Sequence, residues 1–487
     1  MEAVELLLVS SRTPASVVLN IGVRLGRPAT TSICDDEQIA RLIDFSYQTV
    51  TPELFERSAP VEVLETNLEA ALAQTVAASD RDLLILEGKG PVIRLADAML
   101  FEALSRHASD IHIQPLADRT LIRYRIDGVL TVARELPHSL TNALVSRIKV
   151  MARMDVAERH APQDGRATVT LGRSRNGPEI RSVDLRISTL PTNYGERAVI
   201  RLLDNARGSH LAGFESLGMP RDVQTALLDR AGRSHGIILV TGPTGSGKTT
   251  TLYTLLRHIA TGGVGDKGRE ANQSGCKRGD LNIMTIEDPI EYELSIAGIA
   301  ISQSQINPKK GVTFATGLRH ILRQDPDVVM VGEIRDAETT RIAMQASLTG
   351  HLVLSTLHTN DAASAVARLV DLGAERYLVA ASLSAVMAQR LLRRIHSTCR
   401  GARCEACHET GYSGRLGVFE LLMVDDAMRD LISQGSHVAE IRARAAERGM
   451  RTLLEEGQRL IEQGLTDSFE VRRVLQGMAD PTEERSP

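Results

Sequence analysis

At 487 residues the chain is too long for one ordinary hydrophobic core and is expected to divide into two to four domains. With 61 acidic against 57 basic residues, a net charge of −4, it has no global basic surface of the kind that holds nucleic acid. No run approaches the roughly 18 apolar residues of a membrane span, and the opening MEAVELLLVSSRTP lacks the basic flank and cleavage site of a signal peptide, so a cytosolic protein with reduced thiols is expected.

Residues 1–90 carry amphipathic stretches, DDEQIARLIDFSYQTV and LEAALAQTVAAS, that predict short helices and no chemical motif. From Pro91 the pattern changes. PVIRLADAMLFEALSRHA reads as a helix, and DIHIQPL, RTLIRYRIDGVLTVA, RATVTL and SVDLRISTL read as strands, with Asp127-Gly128 as a turn signal. This predicts an α+β domain over 91–206. ARGSHLAGFESLGMP then reads as a joint, placed at 207–219.

Over 220–395 the short apolar runs GIILVTG, LNIMTIED, DVVMVGEI and HLVLSTL alternate with helical segments, which predicts an α/β core: a mainly parallel sheet with helices on its faces. The Gly-rich stretch 261–280, which contains Cys276, reads as a surface loop. Residues 396–415 hold a cluster of His and Cys. Residues 416–487 are expected to be helical, with a disordered end at ADPTEERSP.

GPTGSGKTT follows the apolar strand GIILVT directly and opens a helical segment, the context that a phosphate-binding loop requires. Gly242, Pro243, Thr244, Gly245, Ser246, Gly247, Lys248, Thr249 and Thr250 are therefore the candidate nucleotide-binding residues. Glycines let backbone N–H groups wrap phosphates, and the helix N-terminus adds its positive dipole end. Lys248 is expected to reach the β- and γ-phosphates, and the Thr249 hydroxyl to ligate Mg²⁺. Only seven of the 57 basic residues are lysines, so a single arginine is weak evidence here and this lysine is not. Hydrolysis also needs acids at strand ends, to hold Mg²⁺ and orient water. DPDVVMVGEIRD offers Glu333, and IMTIEDPIE offers Glu287 and Asp288. HLVLSTLHTND places His351 before a strand and His358 after it, where a polar side chain can sense a γ-phosphate; a lone histidine is more often structural.

HSTCRGARCEAC puts one His and three Cys in twelve residues: a redox site, a metal site or an accident. A reducing cytosol favours metal.

The ordered blocks GPTGSGKTT, TIEDPIEY, LRQDPDVVMVGEIRD and GHLVLSTLHTND resemble the Walker A, Asp box, Walker B and His box of the secretion ATPase superfamily of type II secretion and type IV pilus systems. The resemblance extends upstream through ASDIHIQP, SRIKVMARMDVAERHAPQDGR and VDLRISTLPTNYGERAVIRLLD, downstream through TGYSGRLGVFELL, and covers roughly residues 91–425. It implies a RecA-like P-loop core preceded by the α+β domain, working as a cytoplasmic, Mg²⁺-dependent homohexameric ATPase. It also implies catalytic or nucleotide-contacting arginines outside the phosphate loop: Arg186, Arg201, Arg319, Arg323, Arg335 and Arg415. Within the family pattern Glu287 is favoured for positioning water and Glu333 for Mg²⁺, with the two roles exchangeable. Relatives that extend filaments carry two C-x-x-C pairs, a tetrahedral zinc arrangement. Here the first pair has become His396-Ser-Thr-Cys399, so the implied Zn²⁺ set is His396, Cys399, Cys404 and Cys407, against a metal-free cluster or a different fourth ligand.

The cysteine segment argues against a retraction motor. VDLRISTLPTNYGERAVIRLL looks more like the type II secretion ATPases than the pilus-extension ones, so pseudopilus assembly for protein export is the expected function and pilus extension the alternative. The implied partner is the cytoplasmic domain of an inner-membrane platform protein, with pseudopilins engaged indirectly and peripheral membrane association through that partner. A nucleotide-binding scaffold without turnover is disfavoured because both acidic strand ends and the His box are present. A DNA motor is disfavoured by the acidic balance and by seven Phe and seven Tyr with no Trp to stack on bases.

Overall fold

The computed structural model describes residues 6–9, 30–33, 90–171, 181–203, 213–262, 281–294 and 300–476. The chain divides into two units, Met1–Arg94 and Leu95–Pro487. In the first, β1 (Leu6–Val9) and β2 (Thr30–Ile33) pair in parallel. The helices expected at DDEQIARLIDFSYQTV and LEAALAQTVAAS, the 261–280 loop with Cys276, and the ADPTEERSP end lie outside the described residues.

The second unit begins in α1 (Pro91–Ser105). β3 (Asp110–Pro115), β4 (Arg119–Ile126) and β5 (Val129–Pro137) follow, then α2 (Thr141–Met151), β6 (Gln163–Leu171), β7 (Arg181–Thr192) and β8 (Gly195–Leu203). The strands form one antiparallel sheet in the order β5-β4-β3-β8-β7-β6. Period-two alternation sends Ile111, Ile113, Ile122, Tyr124, Leu185 and Ile200 to one face, where Met99, Leu100, Leu144 and Ile148 of the two helices bury against them. The other face carries Asp110, His112, Arg123, Arg125, Arg186 and Arg201. Lys149 is fully buried; its ammonium meets Glu196 at 2.5 Å and donates to the Glu158 carbonyl at 2.6 Å, tying α2 to β8 and to the loop before β6.

Phe214 and Met219 then pack into the next core, and Phe214 stands edge-on to His258 with ring centroids 5.7 Å apart. The joint expected at 207–219 is thus anchored from Phe214 onward, because its two large apolar side chains find a buried place; 207–212 lie outside the described residues. The core continues with α3 (Arg221–Ala231), β9 (Gly236–Thr241), α4 (Lys248–Ala260), β10 (Ile283–Glu287), β11 (Ile301–Gln305) and α5 (Phe314–Ile321). After these come β12 (Val328–Val331), α6 (Ala337–Leu348), β13 (Leu352–Leu357), α7 (Ala362–Asp371), α8 (Arg376–Ser382) and β14 (Leu383–Ile395). β15 (Tyr412–Met423) completes a seven-stranded sheet in the order β11-β10-β12-β13-β9-β14-β15, parallel except for the β14–β15 hairpin. Apolar clusters cover both faces, as a parallel sheet requires.

The expectation of helix from residue 416 is corrected here. Leu416–Met423 is strand, because Gly417–Leu422 is buried throughout and pairs along its length with β14. Helices follow it: α9 (Asp426–Gln434), α10 (Val438–Glu447), α11 (Leu453–Glu462) and α12 (Ser468–Leu475). Side chains start most of them: Asp425 accepts from Met428 N, Thr452 from Glu455 N and Asp467 from Glu470 N, each satisfying an orphan first-turn donor.

α12 is fastened to the sheet by Glu470. Its fully buried carboxylate takes the Arg393 side chain (Nε 2.9 Å, Nη2 2.8 Å), the Arg393 backbone N–H (3.0 Å) and Arg473. Burial pushes this carboxyl up, but the bonds from Arg473 and Arg393 outweigh it and hold it below its ordinary value. Glu470→Ala strands a guanidinium that is itself only 12% exposed. It is expected to lower the unfolding free energy by about 3–5 kcal/mol in chemical denaturation, whereas Glu447→Ala, which removes the exposed Arg444–Glu447 pair, barely moves it.

Candidate nucleotide-binding site

The site lies outside the carboxyl ends of the parallel strands, where β9 has β13 on one side and β14 on the other, the position at which open α/β sheets bind ligands. β9 is buried throughout. The chain leaves it at Gly242 (φ +150°), where a Cβ would lie 2.5 Å from the Gln389 carbonyl and 2.6 Å from Ser246 Oγ, so only glycine passes. It enters α4 through Gly247 in the left-handed conformation. The loop is shaped for an anion. Ser246 Oγ is buried without a hydrogen-bond partner among the described residues, and α4 points its N-terminus at the cavity. Lys248 donates to the Gly242 and Pro243 carbonyls (2.8 and 3.0 Å), so it rests on its own loop, ready to be drawn off by phosphate oxygens. Burial pushes its pKa down to about 8; Arg390 adds to this and Glu333 opposes it.

A cavity of about 1180 Å³ opens above the loop. One wall comes from the loop and the ends of β10, β12 and β13, with Thr244–Thr250, Glu287, Asp288, Glu333, Arg335, Thr356 and His358. The other comes from the antiparallel sheet, with Asp110, Arg125, Arg186 and Arg201. Arg415 joins them: its Nε is 3.7 Å from Asp127, which also accepts from Gly414 N at 2.9 Å. Arg201 pairs with Asp110 at 3.0 Å, and Arg186 lies in the field of Glu291 and Asp288.

The two acidic strand ends differ in kind. Glu287 is 2% exposed and both its oxygens are engaged: Tyr253 OH donates to one, and Thr285 Oγ1 (2.6 Å) and Gln303 Nε2 (3.1 Å) to the other. Burial raises its pKa against these bonds. Glu333 faces the cavity, where it meets Arg335 at 2.7 Å and His358 Nε2 at 3.3 Å, within the electrostatic field of Lys248. Burial first and then Lys248 hold His358 below its ordinary pKa, so it is neutral at pH 7.

The structure corrects the expectation for His351. It stands at the start of β13, beside the start of β9, with Nδ1 2.9 Å from the Ala346 carbonyl. The six-residue strand Leu352–Leu357 puts it on the order of 20 Å from the phosphate loop. A histidine before a strand and one after it cannot share a pocket at one sheet edge. Arg319 and Arg323 also lie away from the cavity, on the exposed side of α5 and just past it, paired with Glu338 and with His320. What sequence reasoning missed is the set behind the loop: Tyr253, Thr285 and Gln303 around Glu287, and Gln389 and Arg390 on β14. Nothing in MAQRLL, where the two polar residues are adjacent rather than alternating, marks Gln389 and Arg390 as buried beside the loop.

A second cluster lies in the β14–β15 connection. The ligand atoms of His396, Cys399, Cys404 and Cys407 all lie within 4.8 Å of one another. His396 Nδ1 is 3.3 Å from Cys399 Sγ and 3.5 Å from Cys404 Sγ, and Cys407 Sγ is 3.9 and 3.7 Å from Cys399 and Cys404. These match the edges of a tetrahedron with metal–sulfur bonds of about 2.3 Å. Burial pushes the Cys407 thiol up, but N–H groups of Cys404 and Gly411, each 3.2 Å away, bring it down to about 6, favouring the thiolate that a metal needs.

Comparison with known proteins bears on the family. A family model described as type II/IV secretion system protein matches residues 86–473. The type II secretion system protein HxcR of Pseudomonas aeruginosa is 43% identical over 476 residues, 96% of this chain and 94% of that protein. The type II secretion system ATPase E of Vibrio cholerae is 44% identical over 422 residues, 81% of this chain and 77% of that one. Among solved structures, the pilus retraction motor PilT with bound ADP is 28% identical with a TM-score of 0.51, covering 80% of this chain and 98% of that one. The ATPase DotB of Legionella pneumophila shares the fold, with a TM-score of 0.58 at 21% identity over 82% of this chain and 98% of that one.

Because Lys248 titrates near pH 8 when it rests on its own loop, a phosphate ligand that stabilises the ammonium takes up protons on binding. Calorimetry in two buffers of different ionisation heat is expected to show uptake of about half a proton per nucleotide at pH 8 and none at pH 6.5. Affinity is expected to fall as pH rises through 8, and equal proton counts at both pH values would show that Lys248 is not the group involved.

Proposed function

The chain belongs to the type II/IV secretion system protein family and is an ATPase of type II secretion, and from that premise we propose how its residues and its assembly do the work. The observation that carries the reading is the convergence of Lys248, Glu333 and His358 at one edge of a parallel sheet, facing a cavity whose opposite wall supplies arginines. Lys248 and the loop N–H groups hold the β- and γ-phosphates, and Thr249 and Glu333 are placed to hold Mg²⁺, which supplies charge neutralisation between the phosphates. Arg186, Arg201 and Arg335 answer the charge that develops on the γ-phosphoryl group. His358, neutral and bonded to Glu333, senses that group.

In this reading the water-positioning role that the family pattern favours for Glu287 passes to Glu333, in addition to its share of the Mg²⁺. A carboxylate that orients water needs a free lone pair aimed at the cavity. Both line the cavity, but the partners of Glu333, Arg335 and His358, line it too, whereas Glu287 is 2% exposed and spends both oxygens on Tyr253, Thr285 and Gln303. Glu287 therefore serves to hold the end of β10 against α4.

The reading extends to a homohexamer in which Arg319 and Arg323, exposed and outside the cavity, reach a neighbouring subunit's nucleotide. Cycles of hydrolysis would then drive pseudopilus assembly through the cytoplasmic domain of an inner-membrane platform protein. No helix among the described residues is long and apolar enough to cross a membrane, which fits attachment through such a partner. The His396–Cys399–Cys404–Cys407 cluster holds structural Zn²⁺: four protein ligands leave no open coordination position for catalysis.

ATP hydrolysis measured on size-resolved fractions, with and without the platform protein's cytoplasmic domain, tests the reading. Activity is expected in the hexameric fraction and is expected to rise with the partner. Glu333→Gln is expected to cut kcat by about 100-fold or more with nucleotide still bound, while Glu287→Gln keeps substantial turnover and melts earlier. The reverse pattern would return the water-positioning role to Glu287. For the metal, elemental analysis is expected to give about one zinc per chain, lost together with thermal stability in Cys407→Ser; a wild-type protein purified without zinc would end that assignment.

A further inference from the structure

We propose that Arg390 is a positioning residue for ATP hydrolysis, a buried strut that holds the phosphate loop in register with the His358 loop. The proposal rests on the nucleotide site described above.

The register Ala388↔Thr241 brings β14 level with the last residue of β9, so Gln389 and Arg390 stand beside the phosphate loop as it departs. Successive strand residues face opposite sides. Gln389 goes towards α4, where its Oε1 accepts from Thr251 Oγ1 at 2.8 Å. Arg390 goes the other way. Its Nη2 donates to the Asn360 carbonyl at 2.9 Å and its Nη1 to the Gln389 carbonyl at 3.0 Å. Nη1 also lies 3.1 Å from where a Cβ of Gly242 would be. One guanidinium therefore ties the segment that follows β13, two residues beyond His358, to the Gln389 carbonyl against which Gly242 of the phosphate loop packs. Thr241 and Thr359 bond each other at 2.8 Å on the same seam, so the two loops already meet there.

Arg390 is 8% exposed, and no carboxylate among the described residues lies at ion-pair distance from it. Glu420 and Asp361 act on it only through their field. A guanidinium buried on two neutral carbonyls is a costly way to fill space, and an apolar side chain would fill the same volume at less cost. What an apolar side chain lacks is the planar fork that fixes both carbonyls at once. Arg390 does not line the cavity, so it acts through the groups that do.

This predicts a split between binding and turnover. In Arg390→Met the loop and Lys248 remain to hold phosphates, while His358 and the Glu333 that it bonds lose their fixed relation to them. The expected result is a folded protein, melting at or above wild type, with KM for ATP within about threefold and kcat lowered about tenfold or more, since displacements near 1 Å can cost up to about 100-fold. Arg390→Lys, which keeps charge and one donor but not the fork, is expected to recover part of kcat. Wild-type kcat in Arg390→Met, or a KM that rises as much as kcat falls, overturns the proposal. Should Arg390→Met not fold, Arg390→Lys carries the test, and unchanged kcat there overturns it equally. Wild-type protein in the same assay separates the two readings: no hydrolysis in any wild-type fraction sinks the ATPase assignment itself.

Discussion

Everything at the nucleotide site depends on one close approach, that of the chain leaving β9 to the backbone of β14. At Gly242 there is no room for a methyl group between the Gln389 carbonyl and Ser246 Oγ. The loop therefore lies close against the neighbouring strand, with Thr244–Thr250 lining the cavity. The same contact sets where Lys248 begins α4, and hence where the helix N-terminus points. A strand order with β9 between β13 and β14 is what makes the approach possible, since β13 ends level with β9 while β14 runs on past it beside the loop. Motif and topology are thus one requirement seen at two scales.

Around that contact the fold uses buried carboxylates as joints. Glu420, 3% exposed, accepts from Ala362 N at 2.8 Å and Leu453 N at 3.1 Å, so a single strand residue caps the first turns of α7 and α11. Glu456 takes Arg451 and Arg459 while 1% exposed, Glu470 takes Arg393 and Arg473, and Glu287 takes three neutral donors. Each is satisfied at both oxygens, and this is what makes a buried carboxylate tolerable.

Much of this was readable from local pattern. Strand, glycine loop and helix at 236–260 announce a phosphate site because each step has its own physical signal, and alternation in RTLIRYRI and VDLRIST marks half-buried strands. The acidic strand ends were readable as a pair, but their division of labour was not. Which carboxylate is free depends on Tyr253, Thr285 and Gln303, from three different elements, and no local pattern records their meeting. His351 was misplaced for a related reason: the motif brackets a strand, and a strand has two ends. Leu416–Met423, apolar but for Gly417 and Glu420, has too short a pattern to separate strand from helix, and its place in the sheet comes from pairing with β14. Arg390 left no local trace at all.

The two walls of the cavity differ in how they are held, and that difference says where the molecule gives way. Within each wall the ties are buried: Lys149 with Glu196 in one, Arg393 with Glu470 in the other. Between the walls, among the described residues, the direct polar tie is Asp127 with Gly414 and Arg415, and the Arg415 side chain is 44% exposed at 3.7 Å. An exposed pair of this kind is worth about 1 kcal/mol or less, while breaking a buried pair costs several times as much. Displacement therefore concentrates at the cleft and leaves both sheets intact. Arg186 and Arg201, which line the cavity from the antiparallel sheet, are the groups proposed to answer a γ-phosphate. In the proposed reading the charge of a bound nucleotide acts across this same gap, where the polar ties between the two walls are weakest.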